Sequence, residues 1–136
     1  MDYIGIDAYF PLTEEKTPSV DASVKAWESH KAIIKSHSET FGKPILFTEY
    51  GYRSIDYAAK KPWEVSRVDK AINMEAQANL TKALFETFWS ESWFAGGFVW
   101  KWFHEHETSG GFDNNRFTPQ NKPAETVLKI YYHAHR

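Results

Sequence analysis

Glu49 stands where a carboxylate can take part in chemistry, between a short apolar run and a polar turn. Pro44-Ile45-Leu46-Phe47 leads directly into Thr48-Glu49-Tyr50-Gly51-Tyr52-Arg53-Ser54. The run shows little polar alternation, as expected of a buried strand in a parallel sheet. Parallel α/β folds hold their ligands at the carboxyl ends of such strands. Gly51 permits a sharp turn there, and Tyr50 and Tyr52 carry hydroxyls for the Glu49 carboxylate or for a substrate. The same pattern allows a Glu49–Arg53 ion pair that does no more than tie down a loop.

Further candidates lie near two other predicted strand ends. Asp7 and Tyr9 share one face of the run 3–10, and Trp100 and Trp102 share one face of the run 98–103. Flat rings near strand ends can stack on sugars, yet aromatic side chains also dominate cores. Six Trp and 17% aromatic residues serve either use. Trp63 and Trp93 are expected to be structural, and Asp7 to be a supporting residue, since a buried carboxylate needs a partner. His104-Glu105-His106-Glu107 carries metal-ligand types, but a zinc helix needs two histidines a full turn apart. A solvated loop without a metal is expected there, and His133 and His135 read as ordinary residues at a helix end.

These residues need a frame. The run 3–10 alternates, with Ile4, Ile6 and Ala8 opposite Tyr3, Gly5, Asp7 and Tyr9, and Pro11 begins a loop. A helix is predicted over 21–41, with Trp27, Ile34 and Phe41 recurring every seven residues and Ile33 and His37 widening the stripe. Ser19 or Asp21 can cap its start, and Gly42 suits its end. The second strand covers 45–49, and a loop over 50–69 carries Arg53, Pro62, Trp63 and Arg67. A second helix is predicted over 71–92, with Met74, Ala78, Thr81, Phe85, Phe88 and Trp89 near helical spacing. Gly96-Gly97 interrupts, the aromatic run 98–103 reads as the third strand, and 104–119 as a loop. Pro123 opens a last helix with Ala124, Val127, Leu128 and Tyr131 on one side. The order β-α-β-α-β-α calls for parallel crossovers, in an open sheet or part of a barrel. Phe10-Pro11-Leu12-Thr13 is not glycine-rich, which argues against a dinucleotide-binding sheet.

Composition narrows the function classes. The 136 residues suffice for one ordinary domain. Sixteen basic against 18 acidic side chains give no electrostatic case for nucleic acid or an anionic membrane. Without cysteine there is no disulfide or thiol chemistry, and the compartment stays open. Met1-Asp2-Tyr3 does not begin a secretory leader, and no run reaches the roughly 20 apolar residues of a membrane helix. No cofactor is expected.

Three motifs then acquire a family likeness. Asp7-Ala8-Tyr9-Phe10-Pro11-Leu12, Phe47-Thr48-Glu49-Tyr50-Gly51-Tyr52-Arg53 and Gly97-Phe98-Val99-Trp100-Lys101-Trp102 together resemble glycoside hydrolase family 113. Thr118-Pro119-Gln120-Asn121-Lys122-Pro123-Ala124-Glu125 looks like that family's last βα connection. The resemblance implies a retaining β-mannanase of clan A on a TIM barrel, which in full takes about 250 residues. It further implies that residues 1–136 form a single partial domain matching barrel strands six to eight. Glu49 would correspond to the nucleophile and Tyr9 to the tyrosine that hydrogen-bonds it. Trp100 or Trp102 would form the sugar floor. Tyr52 and Arg53, close to Glu49 in sequence, are further candidate substrate contacts on local pattern alone. The acid/base glutamate, which the family carries at the end of strand four, has no counterpart here.

The expectation is thus a segment of an enzyme acting on β-1,4-mannan or a related β-linked polysaccharide, inactive by itself. A non-catalytic sugar-binding or interaction module derived from such a barrel is the alternative, and a small α/β protein with a structural Glu49 is a third. Open strand edges predict self-association or association with the missing barrel half.

Overall fold

Alternating apolar residues give the computed structural model a parallel sheet; it describes residues 2–65 and 70–134. Strand β1 (Ile4–Asp7) pairs with β2 (Ile45–Tyr50), which pairs with β3 (Phe94–Val99), in the order β1-β2-β3. Parallel neighbours need long crossovers. Here these contain α1 (Val20–Phe41) and α2 (Met74–Phe88), and α3 (Pro123–His133) follows β3. Arg67 and His135 lie outside the described residues.

The helices bury one face of the sheet. Ile45, Phe47 and Phe94 share a core with Trp27 and Ile34 of α1, Leu80, Leu84, Phe85 and Phe88 of α2, and Leu128 of α3. Its centre is aromatic: Phe47 meets Phe88 at 4.9 Å and Phe94 at 4.8 Å, and Trp27 meets Phe88 at 5.0 Å, all edge to face. Such pairs contribute about 0.5–1.5 kcal/mol each beyond the area they bury. Gly5, Asp7 and Thr48 alternate with the core positions and are exposed. Parallel sheets are normally covered on both sides. Among the described residues nothing covers this second face, and β1 and β3 each leave one edge unpaired.

Capping chemistry sets the helix ends. The Ser19 hydroxyl accepts from the Ala22 N–H at 3.1 Å, and Gly42 closes α1 in the left-handed region with φ of 60°. The buried stripe of α1 is Ser23, Trp27, Ile34 and Ser38 rather than the expected heptad: Ile33 and His37 are exposed, and Phe41 is 64% exposed. Helix α2 starts later than 71 because the Asn73 side chain caps it, accepting from Ala76 N–H at 3.0 Å, and it ends at Phe88 rather than 92. It lies between α1 and α3 against the sheet, so its buried surface is broad rather than a narrow stripe.

The third strand is displaced from the predicted 98–103 to Phe94–Val99, and Gly96-Gly97 lies inside it. Gly97 is there because β2 comes close. A Cβ at Gly97 would fall 2.9 Å from Phe47 Cβ and 2.9 Å from the Tyr50 ring. The tryptophans therefore follow the strand instead of alternating along it.

Candidate functional site at the carboxyl edge of the sheet

The three strands end level with one another. Asp7 is the register partner of Glu49, and Tyr50 is that of Val99. The Ala8 N–H donates to Glu49 O at 2.8 Å, and the Trp100 N–H to Tyr50 O at 2.6 Å. Two irregular pairings, between Ile6 and Asp7 and between Phe47 and Tyr50, re-aim the side chains at this edge.

The Glu49 carboxylate is half-buried and accepts a hydrogen bond from the Tyr9 hydroxyl, Oη to Oε2, at 2.9 Å. Burial first, and then the negative Glu49, raise the Tyr9 pKa above its ordinary value, so the phenol remains a donor. Asp7, expected to be buried, is exposed and accepts from the Thr48 hydroxyl at 2.6 Å. The two tyrosines beside Glu49 go elsewhere. Tyr50 is buried with its hydroxyl 2.9 Å from that of Tyr132. Tyr52 is also buried, and its hydroxyl has no hydrogen-bond partner among the described residues. In this chain Tyr52 is core, which corrects its expected place as a substrate contact.

Arg53 does not pair with Glu49. It is 4% exposed, and its Nε donates to Asn115 O at 3.0 Å. Neighbouring Ser54 donates to Asn114 O at 2.6 Å. Lys122, likewise 4% exposed, completes the fastening: its Nζ reaches Asn114 Oδ1 and Arg116 O at 2.9 Å each, and Ser54 Oγ at 3.0 Å. Burial and the Arg53 guanidinium push the Lys122 ammonium down to about 7. The loop after β2 and the loop after β3 are thus tied together under the site.

Trp100 and Trp102 separate. Trp100, 40% exposed, lines a cavity with Arg53, Lys101, Phe103, Arg116 and Phe117. Phe117 packs edge to face on Tyr9 at 6.2 Å, so this cavity adjoins the Tyr9–Glu49 pair. Trp102, 49% exposed, lines a different groove with Phe98, Leu128 and Tyr132, and its ring lies 5.7 Å from that of His106. Gly51 allows the strand ends to close up: a Cβ there would fall 2.1 Å from the Trp100 carbonyl oxygen. Trp93 packs on Phe88, whereas Trp63 is exposed. His106 bonds the Glu125 carboxylate at the start of α3, and no group of three or more potential metal ligands occurs among the described residues.

Four supporting residues escaped the sequence reading. Gln77 of α2 donates to Tyr52 O at 2.9 Å and Phe117 O at 3.1 Å. Gln120 holds both backbone groups of Phe103, at 2.7 Å and 2.9 Å. Phe117 and Lys122 join them. A polar residue inside an apolar helix face was the available signal for Gln77; Gln120 and Lys122 lie in the 118–125 stretch that carries the family likeness, with no role attached to them there, and Phe117 depends on loop folding alone.

The comparisons bear on this edge and its frame together. The model of Glycoside Hydrolase Family 113 matches residues 1–122. Two structures of a GH113 β-1,4-mannanase, one of them a complex, superpose with a TM-score of 0.78 at 25% identity. They cover 99% of this chain, and the chain spans 40% of their length. The GH113 β-mannanase AaManA from Alicyclobacillus acidocaldarius, in complex with ManMIm, gives 0.74 at 24% identity over 97% of this chain and 39% of its own. A Faecalibacterium prausnitzii β-glucuronidase shares the fold at 0.59 and 18% identity, over 98% of this chain and 22% of its own. No curated protein matches. The parallel sheet with helices on one face is accordingly a segment of the family's barrel, and the chain belongs to glycoside hydrolase family 113.

Proposed function

We propose that this chain carries the nucleophile side of a retaining glycosidase site for β-1,4-mannan or a related β-linked glycan. It would correspond to barrel strands six to eight as one partial domain. The observation that carries the reading is the Tyr9–Glu49 hydrogen bond at the level strand ends, beside the exposed Trp100. With Oε2 held by Tyr9, Oε1 is the oxygen to attack the anomeric carbon while the sugar rests against Trp100. The Glu49 O–C bond forms as the glycosidic bond breaks, and water later releases the sugar from Glu49. Departure of the leaving oxygen requires a proton from a second carboxyl about 5–5.5 Å from the first, which also activates that water. The acid/base belongs to a part of the barrel that these strands do not represent, so the chain alone is inactive.

The exposed Trp100 also favours a second reading, a binding module that keeps the aromatic surface without the chemistry. Hydrolysis of β-1,4-mannan by the purified chain would overturn the claim of inactivity. In a longer protein containing this segment, Glu49→Gln is expected to lower kcat by at least about a thousandfold; retained activity would remove Glu49 as nucleophile. Oligosaccharide binding without turnover in that longer protein selects the module.

The uncovered sheet face and two free edges support association with another copy or with the rest of a barrel. Light scattering of the chain at high micromolar concentration is expected to give a mass above the monomer, and a clean monomer would count against self-association.

A further inference from the structure

The cavity beside Trp100 holds more charge than attack by Glu49 requires. It encloses about 520 Å³, and among its described lining residues are Arg53, Lys101 and Arg116 but no carboxylate. The chain as a whole is slightly acidic, with a net charge of −2, so this concentration of cations is local. The Lys101 ammonium lies over two rings, 5.6 Å from the centre of Trp100 and 4.7 Å from that of Phe103. Neither Lys101 nor Arg116 has a carboxylate partner among the described residues. Under the cavity, Lys122 donates to three neutral oxygens. Burial and then the Arg116 guanidinium lower the Arg53 pKa against a smaller opposing effect of the Glu64 carboxylate, which is not among the described residues lining this cavity; burial and Arg53 lower that of Lys122. A wall lined by one sign of charge raises the local concentration of the opposite sign.

We infer that this cavity receives the carboxylate of an acidic sugar unit, a uronic acid within or branching from the glycan that Trp100 supports. The inference rests on the proposed glycan-binding role of this edge and adds the substrate's charge. A guanidinium offers a planar fork that fits a carboxylate, whereas an ammonium acts as a point charge. Arg116 and Lys101 supply one of each on the open side. The rings of Trp100, Phe103 and Phe117 give apolar surface for the faces of a pyranose. That combination suits an acidic sugar better than a bare anion, which has no use for the rings.

Calorimetric titration of the chain tests this with three probes: a neutral β-1,4-manno-oligosaccharide, one of equal length bearing a single glucuronic acid, and free glucuronate. At low salt the acidic oligosaccharide is expected to bind at least about tenfold more tightly than the neutral one, and the gap to close at molar salt. The double variant Lys101→Met, Arg116→Gln is expected to erase the difference between the two oligosaccharides. Equal affinities in the unmodified chain overturn this inference and leave the neutral-glycan reading standing. Glucuronate binding as tightly as the acidic oligosaccharide, with the neutral one unbound, overturns the glycan reading and this inference with it. So does the failure of all three to bind.

Discussion

Phe88 and Trp100 are large aromatic residues placed near the same sheet, in opposite surroundings. Phe88 is fully buried behind it, enclosed by Trp27, Phe47, Trp93 and Phe94. Trp100 stands just beyond the last strand with 40% of its surface open, over a charged cavity. The first kind of position holds the strands in register; the second leaves a ring free to meet a ligand. Composition counts both alike, and only the end of β3 at Val99 tells them apart.

The largest test of the contrast is stability. Phe88→Ala leaves a cavity in the aromatic cluster and is expected to cost about 3–5 kcal/mol in denaturant unfolding, enough to unfold many domains of this size. Trp100→Ala at the open edge is expected to cost about 1 kcal/mol or less. Equal losses would mean that Trp100 is core after all. Gly51→Ala comes next, because its new methyl meets the Trp100 carbonyl, a backbone atom that cannot swing aside. A loss of about 1–3 kcal/mol is expected, with displacement of Trp100 seen as a change in its fluorescence.

The same contrast explains what the sequence revealed. β1 and β2 were legible because Ile4, Ile6, Ile45 and Phe47 follow the patterns that burial against helices imposes. Ser19 and Gly42 marked α1 at both ends through local capping chemistry. β3 was misplaced because 98–103 is rich in strand-forming aromatics while Gly97 is required by a neighbour 50 residues away in sequence, Phe47. Pattern reading detects a residue's own preference and misses a preference imposed by its partner. At the site, Glu49 was legible from its place after an apolar run. Tyr50 and Tyr52 misled because adjacency in sequence suggested adjacency in space, whereas the irregular pairing between Phe47 and Tyr50 turns the Tyr50 ring inward and Tyr52, beyond the strand, is buried as well. The bond from Tyr9 crosses 40 residues, and only the family likeness pointed to it. The Lys122 fastening depends on two loops meeting; Lys122 belongs to the 118–125 motif, but nothing in that motif says what its ammonium bonds.

Lys122 permits a test of the buried base beneath the exposed edge. Its folded pKa is lowered to about 7, against about 10.4 for an unfolded lysine. Between these values the unfolded chain binds a proton that the folded chain has released. Stability therefore rises as pH increases through that window and is lowest below pH 7, where both states are protonated. Unfolding free energies between pH 7.5 and 9.5 are expected to climb by up to about 1.4 kcal/mol per pH unit. The climb should vanish in Lys122→Met. A flat profile in the unmodified chain would show that the three acceptors around Nζ retain the proton throughout.

The smallest stability effects carry the finest distinction, between the two exposed tryptophans. Trp100 shares its cavity with Phe117, which touches Tyr9, whereas Trp102 lies against His106 in the groove lined by Leu128 and Tyr132. Substituting either by Ala removes a ring that is 40% or 49% exposed and lies outside the buried core, so both variants should stay within about 1 kcal/mol of the parent. Binding of a manno-oligosaccharide should divide them. Loss of a stacking ring costs about tenfold or more, and that loss is expected for Trp100→Ala while Trp102→Ala keeps the parent affinity. The reverse result would move the sugar to the α3 side of the sheet, away from Tyr9 and Glu49. That displacement would also separate the sugar from the proposed nucleophile, because the two grooves share no lining residue.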